Sequence, residues 1–211
     1  MCIRDSLGNA GETLTKAQPE PTDPNNAPLD LFPGAPADAQ TTVALQGVDA
    51  ITASSYGNVD DYLPEVRPSQ ALDGNLDTAW ETGAFTVPLH QWWQVSLTGP
   101  LSTNHVTLVQ PLSGVNNQWI TKVTLTFDGH SPVTVALGPG SRTAAGQAVV
   151  FPTRTFTTLR ITIDRTNLVG ASPTLIQNAS PVGLAEVEVG GAQEQEVVDM
   201  PDDLLDAAGP G

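Results

Sequence analysis

The stretch RPSQALDGNLDTAWETGAFTVPLHQWWQVSL, residues 67–97, decides the fold of this 211-residue chain. It opens with a polar turn at Asp73-Gly74-Asn75, where the glycine can adopt a positive φ and the flanking side chains can hydrogen-bond to nearby backbone. Trp80 follows that turn by a few residues. The stretch closes with an alternating run at the period of a half-buried β-strand, with one face made of Trp93, Val95 and Leu97.

Short apolar-rich runs separated by turn residues continue on both sides of that stretch, from about residue 41 to residue 190. The clearest is WITKVTLTF, residues 119–127, which alternates up to an Asp128-Gly129 turn and faces a second alternating run at residues 133–137. There are about eight or nine such runs and no convincing helix. The pattern therefore predicts an all-β sandwich.

The flanks of this strand-rich region differ from it in composition and predict linkers. Residues 7–40 are rich in Pro, Ala and acidic residues without a sustained period, which is typical of an extended or disordered spacer. Residues 191–211 contain no Lys or Arg, so we expect an acidic linker that leads to a further domain. The carboxylates of that segment are Glu194, Glu196, Asp199, Asp202, Asp203 and Asp206.

Residues 1–6, MCIRDS, form a separate segment. When reverse-translated, they match the transposon end sequence that is used to build sequencing libraries. We therefore expect them to be a sequencing artefact and the chain to be a fragment. Cys2, the one cysteine of the sequence, would then carry no disulfide or thiol chemistry.

Charge and motif content exclude several classes of function. The formal net charge is −15, and a chain this acidic repels phosphate backbones, so we expect no nucleic-acid partner. No apolar run approaches the roughly 20 residues that span a bilayer. The sequence has no G-x-S-x-G or P-loop motif, and we predict no catalysis by this chain. Its histidines lie on separate segments without zinc-ligand spacing, at His90, His105 and His130.

Two motifs carry a resemblance to a known family. ALDGNLDTAW at residues 71–80 and QWWQVSL at residues 91–97 resemble the discoidin, or coagulation factor 5/8 type C, domain. The family pattern is A-x-D-G-[ND]-x-x-T-x-W followed by G-x-W-[WFL]-x-V-x-L, and His90-Gln91 is the minor departure. Later strands also match, so the resemblance covers residues 41–190. It implies a galactose-binding-like jelly-roll β-sandwich with disordered or extended flanks, acting as a non-catalytic carbohydrate-binding module.

A narrower resemblance concerns the end of the chain. VGLAEVEVGG at residues 182–191 and EVVDMPDDLL at residues 196–205 are similar to the discoidin-like segment of large actinobacterial alpha-(1->3)-arabinofuranosyltransferases. This implies a membrane-bound parent of the GT-C glycosyltransferase type that builds cell-wall arabinan, with the present module extracytoplasmic in the cell envelope. Its partners would be arabinan or another glycan and the other domains of the parent. No GT-C region is present, so no catalytic residue is carried over.

The family resemblance also implies a structural Ca²⁺ where the polar turn meets the closing strand. Asp73, Asn75, Thr78 and Glu186 are the positions that match, and they supply the hard oxygens that Ca²⁺ prefers. The alternative is that these side chains satisfy the turn backbone without a metal ion.

Sugar recognition needs an aromatic plate together with polar groups for the hydroxyls. The loop of residues 54–68 supplies both, and Trp92 should face away from Trp93, so we predict a ligand surface made of Tyr56, Asp61, Tyr62, Arg67 and Trp92. The segment NNQW, residues 116–119, is a second candidate. The alternative for the two tyrosines is rim packing, and we expect core packing for Trp80, Trp93 and Trp119.

Two other functions stay open on the sequence alone. The sandwich can be purely architectural, packing on other domains of the parent, or it can be a secreted adhesion-type discoidin module. An exposed Trp92 or a Tyr-rich cleft would favour glycan binding, whereas a flat or covered loop end would favour an architectural role.

Overall fold

The computed structural model of the chain describes residues 3–5, 41–57, 64–84, 87–114, 117–168 and 180–199. Within these ranges the regular elements are β-strands and three single-turn 3-10 helices, Pro64–Val66, Pro68–Ala71 and Pro139–Arg142. This confirms the all-β prediction. The strands are β1 (Ile3–Asp5), β2 (Thr41–Gln46), β3 (Val48–Ala53), β4 (Trp80–Glu81), β5 (Trp92–Val109), β6 (Ile120–Phe127), β7 (His130–Ala136), β8 (Gln147–Thr166), β9 (Gly183–Leu184), β10 (Glu186–Glu188) and β11 (Gln195–Asp199).

These strands form one large sheet and two small ones. The large sheet has the order β10-β5-β8-β6-β7, with β3 also paired to β5. β4 pairs with β9, and β2 lies between β1 and β11. All pairs of the large sheet are antiparallel, including the β6–β7 hairpin that the sequence predicted across the Asp128-Gly129 turn.

The two longest strands each join two runs that the sequence separates. β5 has 18 residues and β8 has 20, and their register is interrupted between Ser96 and Leu101. Pro100 lies in that interruption, and because proline has no N–H group it cannot donate to the ladder. Such irregularities bend a strand, which lets both halves of β5 and β8 enclose the same core.

One apolar core fills the sandwich and contains two fully buried tryptophans, Trp80 and Trp93. Each indole nitrogen donates to a backbone carbonyl, Trp80 to Ser55 O at 3.0 Å and Trp93 to Pro68 O at 2.7 Å. The large aromatic surface is therefore buried without an unpaired donor. This confirms the prediction that these two tryptophans belong to the core.

The acidic C-terminal segment contains a strand that the sequence did not predict. β11 pairs antiparallel with β2, and Glu194 N donates to Leu72 O at 2.9 Å just before the strand begins. The prediction of a linker from residue 191 is therefore wrong for Gln195–Asp199. Charge alone suggested a solvated segment, but Glu196 is paired inside the fold.

In the part of the chain that the structure describes, no helix is long and apolar enough to cross a membrane.

Candidate functional site

The polar turn, residues 73–78, is closed by its own side chains. Asp73 Oδ1 accepts from Asn75 N at 2.9 Å, and Asp73 Oδ2 accepts from Thr78 Oγ1 at 2.8 Å. Asn75 Oδ1 in turn accepts from Asp77 N at 3.1 Å. Short polar side chains that bond to backbone two residues ahead are typical of Asx turns, which explains why this sequence folds locally. The predicted residues Asp73, Asn75 and Thr78 thus lie together.

Glu186, on the closing strand β10, reaches the same turn. Its Oε2 accepts from Gly74 N at 2.9 Å, across 112 residues of sequence. Burial, with the nearby Asp73 carboxylate as a further contribution, raises the pKa of Glu186 to about 7, although the bond from Gly74 opposes the rise. The structure therefore assembles all four predicted metal ligands around one turn and places a second carboxylate beside Asp73.

The donor set of the polar turn fits a hard cation. It offers two carboxylates together with an amide oxygen, a hydroxyl and turn carbonyls, which are ligands that Ca²⁺ takes. A cation would also relieve the charge repulsion between Asp73 and Glu186. Among the described residues no three His, Cys, Asp or Glu side chains are grouped closely enough to hold a metal ion by themselves, so the neutral oxygens would have to contribute.

The C-terminal segment covers the polar turn. Gln193 Nε2 donates to Asp73 O at 2.9 Å, and a Cβ built on Gly74 would lie 2.2 Å from the same nitrogen. Because Gly74 has φ +76°, it provides both the left-handed backbone and the space that this contact requires. Sequence reasoning missed Gln193, because its role depends on the fold of β11.

Arg67 is part of this covered region. Its Nη2 donates to Glu196 Oε2 at 2.6 Å, with the two side chains 12% and 22% exposed, and Ser69 Oγ donates to Glu196 Oε1 at 2.8 Å. The structure thus gives Arg67 an internal ion pair, and its predicted ligand contact stays a prediction. Charge-assisted bonds of this kind hold β11 onto the loop of residues 64–69.

Glu194, next to that ion pair, is buried with a raised pKa. Burial, followed by repulsion from Glu196 and Asp73, raises it to about 7, and its Oε2 has no hydrogen-bond partner among the described residues. The residue is only 4% exposed. Its burial follows from the strand pairing of β11, which the sequence pattern of the tail does not indicate.

The predicted ligand surface assembles only in part. Tyr56 is 2% exposed and belongs to the core, so the prediction that it forms an aromatic plate is wrong. It follows directly on the buried Ser55, whose Oγ accepts from Gly83 N at 3.0 Å, and this contact draws the segment inward. Asp61 and Tyr62 lie outside the described residues, and their predicted role stays a prediction.

Trp92 faces the outer side of the sheet, opposite to Trp93, which confirms the predicted alternation. The indole is half-buried, and the Arg160 guanidinium stacks over it with its carbon 4.1 Å from the ring centroid. Arg160 Nε also donates to Gln94 Oε1 at 2.8 Å. One face of the Trp92 ring is therefore already occupied by a cation–π contact.

A second half-buried tryptophan, Trp119, lines a surface depression of about 190 Å³. The prediction of core packing for Trp119 is wrong, because the Arg142 guanidinium lies over its ring, 4.3 Å from the centroid. We call this site the Trp119 depression, and its main lining residues are Gln110, Pro111, Gln118, Trp119, Arg142 and Pro181.

Buried amides fix the shape of the Trp119 depression. Gln110 Nε2 donates to Ile120 O at 3.0 Å and to Ser141 Oγ at 2.8 Å, and its Oε1 accepts from Ile120 N at 2.8 Å. Gln118 Nε2 donates to Thr166 Oγ1 at 3.0 Å. These bonds join the segments that follow β5, precede β6 and contain Arg142. The sequence predicts the segment of residues 116–119 as a candidate ligand site, but no local sequence pattern indicates that Arg142 and Gln110 belong to it.

Comparisons with known proteins agree with this fold. The sequence profile of the F5/8 type C domain matches residues 50–168. No curated protein matches the chain by sequence. A cryo-EM structure of the arabinofuranosyltransferase AftD from Mycobacteria, in a mutant form, has 18% identity and a TM-score of 0.61, covering 88% of this chain and 15% of that one. A second AftD structure has 17% identity and a TM-score of 0.62, covering 88% and 14%. At this identity the likeness shows the fold alone.

Proposed function

Because the chain belongs to the F5/8 type C domain family, we propose that it is a non-catalytic carbohydrate-binding module. The observation that carries the proposal is the Trp119 depression, where an indole, a guanidinium and fixed amide groups converge on one open site. An aromatic surface packs against the apolar face of a sugar ring, and a charged side chain hydrogen-bonds to its hydroxyls. The bonds of Gln110 and Gln118 hold this arrangement in place before a ligand arrives, which lowers the entropy cost of binding.

We further propose that the module is the extracytoplasmic part of a membrane-bound arabinofuranosyltransferase of the cell envelope. The fold shared with AftD over 88% of this chain and the sequence motif at its C-terminal end support the assignment. The chain spans about 15% of the AftD length, so the transferase activity would belong to the rest of the parent. By holding arabinan near the catalytic region, the module would raise its effective concentration without making or breaking bonds.

The test is titration calorimetry of the full 211-residue chain with arabinan oligosaccharides. We expect a saturable heat that is lost in Trp119→Ala. Trp92→Ala is the matched control, since both indoles are half-buried and stacked by an arginine. Loss of heat in Trp92→Ala alone would move the site to the outer face of the sheet. The absence of heat with the unmodified chain and with both variants would contradict the proposal for these ligands.

We also propose that the polar turn binds Ca²⁺ as a structural ion. The support is the convergence of Asp73, Asn75, Thr78 and Glu186, together with the proximity of two carboxylates. The residues would hold the ion between the turn and β10. We expect Ca²⁺ to raise the melting temperature above that in chelator, and Glu186→Gln to remove this rise. Glu188→Gln, which changes an exposed acid on the same strand, should keep it.

One observation favours an architectural role as a second candidate. Among the strands that the structure describes, β11 pairs on one side only, with β2, and its Val198 is 56% exposed. An unpaired strand edge with an exposed apolar side chain is suited to packing against a neighbouring domain. In the calorimetric test this role corresponds to a folded chain that gives no heat with glycans.

A further inference from the structure

The pairing of β6 with β8 is irregular at one place, near the start of β6. Ile120 faces Thr166, Lys122 faces Arg165, and Val123 faces Ile163. β6 therefore has an extra residue, Thr121, before Lys122, and β8 has an extra residue, Asp164, before Arg165. Bulges of this kind redirect side chains and are frequent beside functional sites. Here the irregularity sets two cations directly opposite each other.

Lys122 and Arg165 are both exposed, and neither side chain has a carboxylate or hydrogen-bond partner among the described residues. Like charges directly opposite on paired strands are destabilising. The pair is unexpected in a chain with 23 acidic residues and only 8 basic ones. Each of the other arginines between residues 64 and 168 contacts a partner: Arg67 contacts Glu196, Arg142 contacts Trp119, Arg154 contacts Phe127, and Arg160 contacts Trp92.

The two cations line a shallow depression of about 380 Å³, with Thr121, Ala136, Thr166 and Asn167. We call it the Lys122 depression. The hydroxyl of Thr121 is buried there and has no hydrogen-bond partner among the described residues. The site thus combines two unpaired cations with a spare hydroxyl donor, and no described acid lines it.

The Lys122 depression adjoins the Trp119 depression. Asn167, which lines the former, accepts from Trp119 N at 2.8 Å through its Oδ1. Thr166, also in the former, accepts from Gln118 Nε2 at 3.0 Å, and Gln118 lines the latter. Hydrogen bonds inside the fold therefore connect the walls of the two depressions.

We propose that Lys122 and Arg165 form an oxyanion subsite, which binds the carboxylate or phosphate group of an acidic saccharide. A planar guanidinium can donate two parallel bonds to such a group, and an ammonium adds a mobile point charge. A shared anion also relieves the repulsion between the two cations. The saccharide carrier rests on the proposed carbohydrate-binding function, whereas the oxyanion recognition rests on this cation pair alone.

The experiment compares two ligands with the same sugar backbone: a galacturonate oligosaccharide with free carboxylates and its methyl-esterified, neutral form. Calorimetry with the full chain should give at least roughly tenfold tighter binding for the charged form, as expected for a hydrogen bond to a charged group. The advantage should disappear in Lys122→Gln/Arg165→Gln and shrink as salt is raised. Arg154→Gln is the matched control, since it removes one charge from a distant part of β8 and should keep the advantage.

A second readout uses inorganic phosphate and amide NMR shifts of the full chain. We expect phosphate-dependent shifts at residues 121–122 and 165–167, and we expect them to be absent in the double variant. The double variant removes a repulsion between two cations, so its melting temperature should be no lower than that of the unmodified chain. Equal affinity for the two oligosaccharides, an advantage that survives in the double variant, or no phosphate shifts at these residues would each overturn the proposal. If neutral arabinan gives no heat but the charge advantage holds, the subsite stands and the arabinan assignment fails.

Discussion

The polar turn and the Trp119 depression both contain polar side chains that are hydrogen-bonded inside the domain, but only the depression leaves other side chains facing an open space. In the turn, the carboxylates of Asp73 and Glu186 accept from groups of the domain itself, and Gln193 covers the backbone. In the depression, Gln110 and Gln118 are also paired internally, but they support an indole and a guanidinium that face an open space.

The comparison shows that the polar side chains of the turn stabilise the fold, whereas the outer side chains of the Trp119 depression can contact a ligand. Where a C-terminal strand closes over polar residues, their hydrogen bonds stabilise the domain. In the Trp119 depression the internal hydrogen bonds are confined to the amides of Gln110 and Gln118, so the Arg142 guanidinium and the exposed part of the indole beneath it remain available to a ligand. The predictions below break or sharpen this contrast, in order of decreasing expected effect.

The largest effect should come from the core that both regions share. Trp93→Ala should lower the free energy of unfolding by about 3–5 kcal/mol, since it empties a fully buried site and removes the bond to Pro68 O. Chemical denaturation measures the change. Trp119→Ala is the contrasting variant, expected to cost much less because its indole is half-buried. Equal costs would contradict the assignment of Trp119 to the surface.

The second effect is a pH dependence of stability in chelator. Glu186 and Glu194 have pKa values raised to about 7 from 4.5, so between these values the folded state binds more protons than the unfolded state. Stability should therefore be highest below about pH 4.5 for these groups and fall as the pH rises to about 7. The cause of this fall is the linkage between proton binding and folding. Urea denaturation across this pH range measures the fall in stability of the unmodified chain. The double variant Glu186→Gln/Glu194→Gln should not show this fall.

The third effect concerns the cover over the polar turn. Glu196→Ala removes the acceptor for Arg67 and Ser69, and should cost about 2 kcal/mol, the range for hydrogen bonds to charged groups. Hydrogen exchange of β11 should quicken as well. Glycan affinity should stay unchanged, because the variant leaves the Trp119 depression intact. A loss of affinity in Glu196→Ala would break the separation of the two regions.

The smallest effect separates backbone strain from the contact with the tail. Gly74→Ala and Gly57→Ala both place an alanine at positive φ, +76° and +71°, which costs about 1–2 kcal/mol. Of these two positions, the added Cβ meets Gln193 at Gly74, whereas at Gly57 no atom of the described residues lies within 4 Å. Thermal denaturation should therefore show a larger loss for Gly74→Ala. Equal losses would mean that Gln193 moves aside without cost.

The sequence predicted what local pattern controls. Alternation placed Trp93 inside and Trp92 outside, and the family resemblance correctly brought the D-G-N motif together with a distant glutamate. Sequence-based prediction failed where the burial of a residue depends on contacts with residues that are distant in the chain. Tyr56 looked like a loop aromatic but is packed in the core, and the acidic tail looked solvated although β11 docks through the Arg67–Glu196 ion pair. The partners of Trp119 and of Lys122 come from strands and turns that are distant in sequence.

The most direct test of the contrast is a map of amide NMR shifts when an arabinan oligosaccharide is titrated into the full chain. Our account predicts shifts concentrated at residues 110, 112, 118–119, 142 and 182–183, around the Trp119 depression, with residues 73–78 and 194–196 unaffected. Saturable shifts at the polar turn and the tail, with none around Trp119, would contradict it.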